Sequence, residues 1–224
     1  MADLFKRFCQ KDHFSDPNII VHKNGKVSLA VDKKISLDID FVVCVPQTSI
    51  SSAKGFAAEL NIPFCEDAIT KSANINRTFI LQNNEARQNA CKKKFIYHPN
   101  LKGKKIYLID DSIVRGNTLK TVVECLRNVG VSEIHVRIPS PPIISECFFG
   151  IDMSTKKELI AYNRTIEEIS NILNIDSLMY LDVSSMKKAF CDNDNDHIQP
   201  DIQPDKQICT SCFTGKYDSE LFDW

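Results

Sequence analysis

Between Lys105 and Thr118 the chain reads KIYLIDDSIVRGNT, and this order of residue types leaves few folds open. Ile106 to Ile109 is an apolar run of strand type bounded by turn residues. Two carboxylates, Asp110 and Asp111, follow at its end, where an open α/β sheet places its ligand. Next comes a short loop, Ser112 to Thr118, which carries Gly116 and two hydroxyls. Beyond it, Leu119, Val122, Val123, Leu126 and Val129 recur at helical spacing. Strand, acidic pair, small-residue loop and helix together suit a phosphorylated sugar. Loop N–H groups and the positive end of the helix bind a phosphate, while the carboxylates accept hydrogen bonds from sugar hydroxyls. The plainer alternative is a βα turn whose acids cap the helix, but a cap does not require two acids followed by Ser, Arg, Gly and Thr.

The surrounding sequence repeats the strand-then-helix rhythm. FVVCVP (41–46) reads as a buried strand, and residues 48–60 as a helix of small and apolar residues packed on the sheet. IPF (62–64) and RTFIL (77–81) read as further short strands, and 84–94 as a polar helix. The sheet resumes at 105–109 and 134–139. Thr165 with Glu168 forms a capping box opening a helix that carries Ile166, Ile169, Ile172 and Leu173, and MKKAF (186–190) closes a last helix. The expected fold is α/β, a mainly parallel sheet flanked by helices. Residues 1–38 are polar and mixed and form an N-terminal segment, and 39–190 hold the main domain. Residues 191–206, with acids, Asn, two prolines and a near-duplicated IQPD, read as a flexible polar linker. Residues 207–224 form a CxxC segment expected to pack back on the domain.

Bulk properties narrow the function classes. A length of 224 residues suits one domain with a full core. The net charge of −1 gives no general attraction for nucleic acid or anionic membranes. Lys92, Lys93, Lys94, Lys102, Lys104 and Lys105 form a local basic cluster, read as a solvated rim. No apolar run approaches the ~20 residues of a membrane span, and MADLFKRFCQKDHF has no apolar core of signal-peptide type. A cytoplasmic, reducing location is therefore expected. There the nine cysteines read as free thiols or metal ligands, not disulfides.

The DDSIVRGNT segment resembles the phosphoribosyl-pyrophosphate (PRPP) motif of the type I phosphoribosyltransferases. Residues 133–163, 176–181 (DSLMYL) and 211–217 (SCFTGKY) resemble, more narrowly, the glutamine PRPP amidotransferase family. The resemblance runs from about Asp40 to the C-terminus, with a weak stretch at 190–207. It implies a type I phosphoribosyltransferase fold that binds PRPP at the C-terminal ends of the strands. It implies that Asp110 and Asp111 contact the ribose hydroxyls and help order Mg2+. Ser112, Ile113, Val114, Arg115, Gly116, Asn117 and Thr118 would then form the 5′-phosphate loop, with Asn117 where the family usually has Thr. VPQTS (45–49) matches the pyrophosphate loop, with Thr48 as the hydroxyl that supports magnesium and Gln47 where the family shows an acid. KSANINRTFI (71–80) matches the catalytic flexible loop and keeps Lys71, Arg77 and Thr78, whereas Ala73, Asn74 and Asn76 replace an Arg, Tyr and Gly of the family pattern. Lys71, Arg77 and Lys94 are the catalytic candidates, Lys94 as a pyrophosphate contact.

One branch of the family holds a [4Fe–4S] cluster, and the resemblance implies Cys147, Cys209, Cys212 and, from the N-terminal segment, Cys9 as its ligands; four thiolates suit zinc equally, and no metal is the remaining alternative. The family's glutaminase domain is not apparent, since the chain enters the phosphoribosyl half almost at once. The expected reaction is thus glutamine-independent transfer from Mg–PRPP to ammonia, free or delivered by a separate glutaminase subunit, giving 5-phosphoribosylamine and pyrophosphate for purine synthesis. A homo-oligomer is implied by resemblance. Two other readings stand beside it: a catalytically impaired PRPP- or nucleotide-binding regulatory or partner protein, motivated by Gln47 and the altered loop, and a salvage transferase that uses a base.

Overall fold

A computed structural model of the chain describes residues 38–71, 95–149, 155–191 and 208–217, together with the backbone of two short strands near the N-terminus. Those two, β1 (Ile19–Val21) and β2 (Val27–Leu29), pair antiparallel within the segment that the sequence left unread. The central sheet consists of β3 (Phe41–Cys44), β6 (Lys105–Ile109), β7 (Glu133–Ile138) and β8 (Ser177–Tyr180), all parallel and in that spatial order. Register is fixed by pairs such as Val42 with Tyr107, Leu108 with Val136, and Arg137 with Met179. A second pair, β4 (Ile69–Lys71) with β5 (Phe95–Tyr97), runs antiparallel beside the sheet.

Continuous apolar runs make these strands because both faces of the sheet are covered. Alternate residues on β3 and β6 enter two separate cores. Val43, Ile106 and Leu108 join one cluster with Ile134, Val136 and Ile138. Val42, Cys44, Tyr107 and Ile109 join the other. Helix α1 (Ile50–Leu60) covers the second face with Ala53, Phe56 and Ala57. Helix α2 (Asn117–Val129) covers the first with Leu119, Val122, Val123 and Leu126, aided by Ile169 and Leu173 of α3 (Ile166–Leu173).

The strand at 105–109 forms as read, and the one read at 134–139 is shifted by one residue, to Glu133–Ile138. The helix read over 48–60 begins at Ile50. IPF (62–64) is not a full strand; it contributes a single parallel bridge, Phe64 to Val42. Its two flanking residues hydrogen-bond Val42 from either side, Val42 N to Pro63 O and Cys65 N to Val42 O, both at 2.9 Å, and the segment then turns away through a 3₁₀ turn at Glu66–Ala68. RTFIL (77–81) and the polar helix at 84–94 lie outside the described residues, as does the linker read at 191–206 except for Cys191, which ends a helix instead. MKKAF falls within α4 (Val183–Cys191). The tail helix α5 (Ser211–Thr214) docks on the loop after β7: Ile144 N and Ser145 N donate to Cys212 O at 2.9 and 3.1 Å, and the Tyr217 hydroxyl donates to Glu146 O. Among the described residues no helix is long and apolar enough to cross a membrane.

The capping box forms in full: Glu168 N donates to Thr165 Oγ1 at 3.2 Å, and Thr165 N to Glu168 Oε2 at 2.7 Å. Thr165→Ala is expected to lower the unfolding free energy by about 1 kcal/mol, measured by urea denaturation.

Candidate functional site

The two helices that follow β3 and β6 leave to opposite faces of the sheet. Adjacent parallel strands whose connections diverge in this way open a crevice at their C-terminal ends. Both segments expected to bind ligand end there. Val45 N still donates to Ile109 O at 2.9 Å, so the loop Pro46–Ser49 starts level with Asp110. The peptide between Pro46 and Gln47 is cis. Gln47 and Thr48 are exposed, and Ser49 is fully buried.

Asp110 is only 7% exposed, whereas Asp111 is half-buried beside it. Asp110 Oδ1 accepts from Asp111 N at 3.0 Å and from Ser49 Oγ at 3.2 Å. Ser112 Oγ lies 3.4 Å from Asp111 Oδ1. Burial first, and the neighbouring Asp111 charge second, push the Asp110 carboxyl up to about 7; the bonds from Asp111 N and Ser49 pull the other way. An acid this buried is costly when ionised, and no cation is among the groups that shift it.

The loop after the acids is braced from below. Ile113 is buried in the main core, so its share in binding is its backbone. Val114 O accepts from Ile160 N at 2.9 Å. Arg115 does not point to the loop's interior in a free state: it pairs with Glu158 through Nε at 3.0 Å and Nη2 at 2.8 Å. Gly116 adopts φ +79°, and a Cβ there would meet Ile160 Cδ1 at 2.5 Å. Only glycine fits both the conformation and the space. Asn117 and Thr118 open α2, where first-turn N–H groups lack helical acceptors and the dipole favours an anion. The result is a rigid βα turn able to bind a phosphate on backbone groups, with two carboxylates at one edge for hydroxyls.

Residues 15–139 match the phosphoribosyl transferase domain family. The chain belongs to it. It is 37% identical over 215 residues to the amidophosphoribosyltransferase of Methanocaldococcus jannaschii, covering 96% of this chain and 43% of that protein. Against the human amidophosphoribosyltransferase it is 35% identical over 212 residues, 88% of this chain and 40% of that one. Its fold resembles the Bacillus subtilis glutamine PRPP amidotransferase solved with ADP and GMP, at a TM-score of 0.71 and 33% identity, over 99% of this chain and 42% of that chain. The chain thus spans less than half the length of the amidophosphoribosyltransferases it matches, and within that span the sequence resemblance is upheld.

This phosphoribosyltransferase turn gathers Asp110 through Thr118 with Thr48 on neighbouring loops. Lys71 ends β4, exposed, where the chain enters residues 72–94; Arg77 and Lys94 lie in that stretch, outside the described residues. Cys9 is outside them too. Cys147 and Cys212 pack in one small cluster with Ile143 and Leu159. Burial, followed by the nearness of Cys147 and Cys209, raises the Cys212 thiol. Phe149 N donates to Cys147 Sγ at 3.4 Å, and Cys209 Sγ lies 3.6 Å from Ser211 Oγ. Among the described residues no group of three or more His, Cys, Asp or Glu side chains is arranged to hold a metal ion. The described thiols therefore do not by themselves build a cluster or zinc site, and no chemical step passes through one. Sequence reasoning missed the contacts of Ser49, Glu158 and Ile160, none of which carries a local signal.

Because the Asp110 carboxyl is raised in the folded state, this group holds its proton longer in the folded protein than in the unfolded chain, and its contribution to stability falls as pH rises from about 4 to about 7. Asp110→Asn is expected to remove this slope and to leave the protein more stable by a few kcal/mol at pH 8 but not at pH 4, read from urea midpoints at both. Gly116→Ala is expected to cost more than ~1 kcal/mol in the same assay, because strain adds to the overlap with Ile160.

Proposed function

We propose that this chain transfers the phosphoribosyl group of Mg–PRPP to ammonia, giving 5-phosphoribosylamine and pyrophosphate for purine synthesis. The observation that carries the reading is the acid pair, buried Asp110 and half-buried Asp111, set against the Gly116 turn at the start of α2. The names of the relatives supply the nitrogen chemistry. In the reaction the C1–oxygen bond to pyrophosphate breaks, a C1–nitrogen bond forms on the opposite face, and the nitrogen sheds a proton. No side chain need attack; positioning and charge stabilisation suffice. The turn from Ser112 to Thr118 holds the 5′-phosphate. Asp110 and Asp111 accept from the ribose hydroxyls and fix the sugar's face. Magnesium enters with PRPP as part of the substrate, and Thr48, Asp110 and Asp111 are the oxygen donors that meet it; hard oxygen donors suit that ion. Lys71, Arg77 and Lys94 neutralise the departing pyrophosphate.

The nitrogen donor, free ammonia or ammonia from a separate glutaminase subunit, belongs to the same proposal, as do a homo-oligomeric assembly and a cytoplasmic site of action. So does a [4Fe–4S] cluster on Cys9, Cys147, Cys209 and Cys212, which would be structural. A second reading, a PRPP-binding protein without turnover, draws on exposed Gln47, a neutral group where the family shows an acid.

Pyrophosphate release from Mg–PRPP, with and without ammonium, tests both on protein purified without oxygen and assayed for iron and sulfide. Ammonium-dependent release that falls at least about 100-fold in Asp111→Asn is expected. PRPP binding without release would favour the second reading, and no binding would end both.

A further inference from the structure

We propose that Ser49 is a positioning residue for the ribose-binding acids, its hydroxyl locking Asp110 so that Oδ2 is the oxygen offered to a ligand. The inference rests on the reading of Asp110 and Asp111 as sugar-binding groups and adds a residue to it.

Three observations carry it. Ser49 is fully buried, and its hydroxyl crosses from the loop after β3 to the end of β6 to reach Asp110 Oδ1 at 3.2 Å. The second donor to Asp110, Asp111 N, uses the same oxygen at 3.0 Å. Two donors on Oδ1 stop rotation of the carboxylate and leave the ligand-binding work to Oδ2. The third observation is what Ser49 does not do. It occupies the N-cap of α1, where a serine ordinarily accepts from a helix N–H, yet it makes no side-chain cap bond. A cap of that kind stabilises a helix by about 1 kcal/mol. Here the hydroxyl is turned away from its own helix and towards the acid. Its neighbour Thr48 remains exposed, so adjacent hydroxyls are divided: one is open to solvent and the other sets the geometry of the acid. A carboxylate held in one orientation before binding loses less freedom when a hydroxyl meets it, which is the source of affinity in a preorganised site.

Calorimetric titration with ribose 5-phosphate, free of metal, and separately with Mg–PRPP tests this on the full chain. Ser49→Ala is expected to weaken ribose 5-phosphate binding by about tenfold or more while the protein still unfolds in one urea transition of wild-type slope, its midpoint lowered only by the loss of the buried bond to Asp110. Ser49→Thr, which keeps the hydroxyl, is expected to return the affinity to within about threefold of wild type. Wild-type affinity in Ser49→Ala overturns the proposal, as does equal weakening in Ser49→Thr. Loss of the cooperative urea transition in Ser49→Ala also overturns it, because the residue would then be needed for the fold itself. Failure of the wild-type protein to bind either probe would instead remove the functional reading on which the inference rests.

Discussion

The pairing of Phe41–Cys44 with Ile106–Ile109 sets every feature of the site. Parallel register brings the ends of β3 and β6 level, and the bond from Val45 N to Ile109 O carries that alignment one residue past the last strand pair. The loop holding Thr48 and Ser49 and the turn holding Asp110 to Thr118 consequently emerge side by side. Because α1 and α2 then fold onto opposite faces, neither covers the space between the loops. Had both helices packed on one face, the acids would have been enclosed by apolar residues. A crevice here is thus a consequence of connectivity, with no special residue needed to hold it open.

Within that frame the acid pair works against folding. Ile109 is fully buried and Asp110 nearly so, and the second carboxylate is adjacent. Burial and like charge both oppose ionisation, and the two hydrogen bonds on Oδ1 offset them only in part. Evidently the chain tolerates a carboxyl poised near neutrality. The supports around it are correspondingly firm: a fully buried serine, a turn glycine pressed against Ile160, and a backbone bond from Ile160 to Val114. Ordered surroundings that hold a buried acid at a cost to stability are a common feature of binding sites.

The sequence made legible those parts in which local residue order and tertiary structure agree. KIYLI must be a strand because Ile106 to Ile109 alternate between two cores; NTLKTVVECLRNV must be a helix because its apolar residues fall on one stripe. The capping box at Thr165 and Glu168 is visible for the same reason, since its partners are three residues apart. IPF misled because an apolar triplet between turn residues looks alike whether it makes a ladder or one bridge. The β4–β5 pair was invisible: three-residue strands separated by more than twenty residues leave no periodic trace. Ser49 was hidden most completely. A serine at the start of a helix announces a cap, and only the fold reveals that its partner lies 61 residues away.

The same long-range logic ties the tail to the phosphate turn. Val114, within the turn, packs in a small cluster around Ile143 and Leu159 that also contains Cys147, Cys212 and Phe213. The Leu159–Tyr162 stretch supplies the next link, because Ile160 both bonds Val114 and fills the space beside Gly116. Residues 208–217 are held there by main-chain bonds from Ile144 and Ser145 and by the Tyr217 hydroxyl on Glu146. Phe213 extends the contact to Leu181 and Met186, which seat the following helix α4. A segment over ninety residues downstream of the acids is in this way one layer behind the turn that follows them. Cys212 belongs to that packing through its main-chain bonds to Ile144 and Ser145 and the apolar cluster around it, whereas Cys209 is exposed.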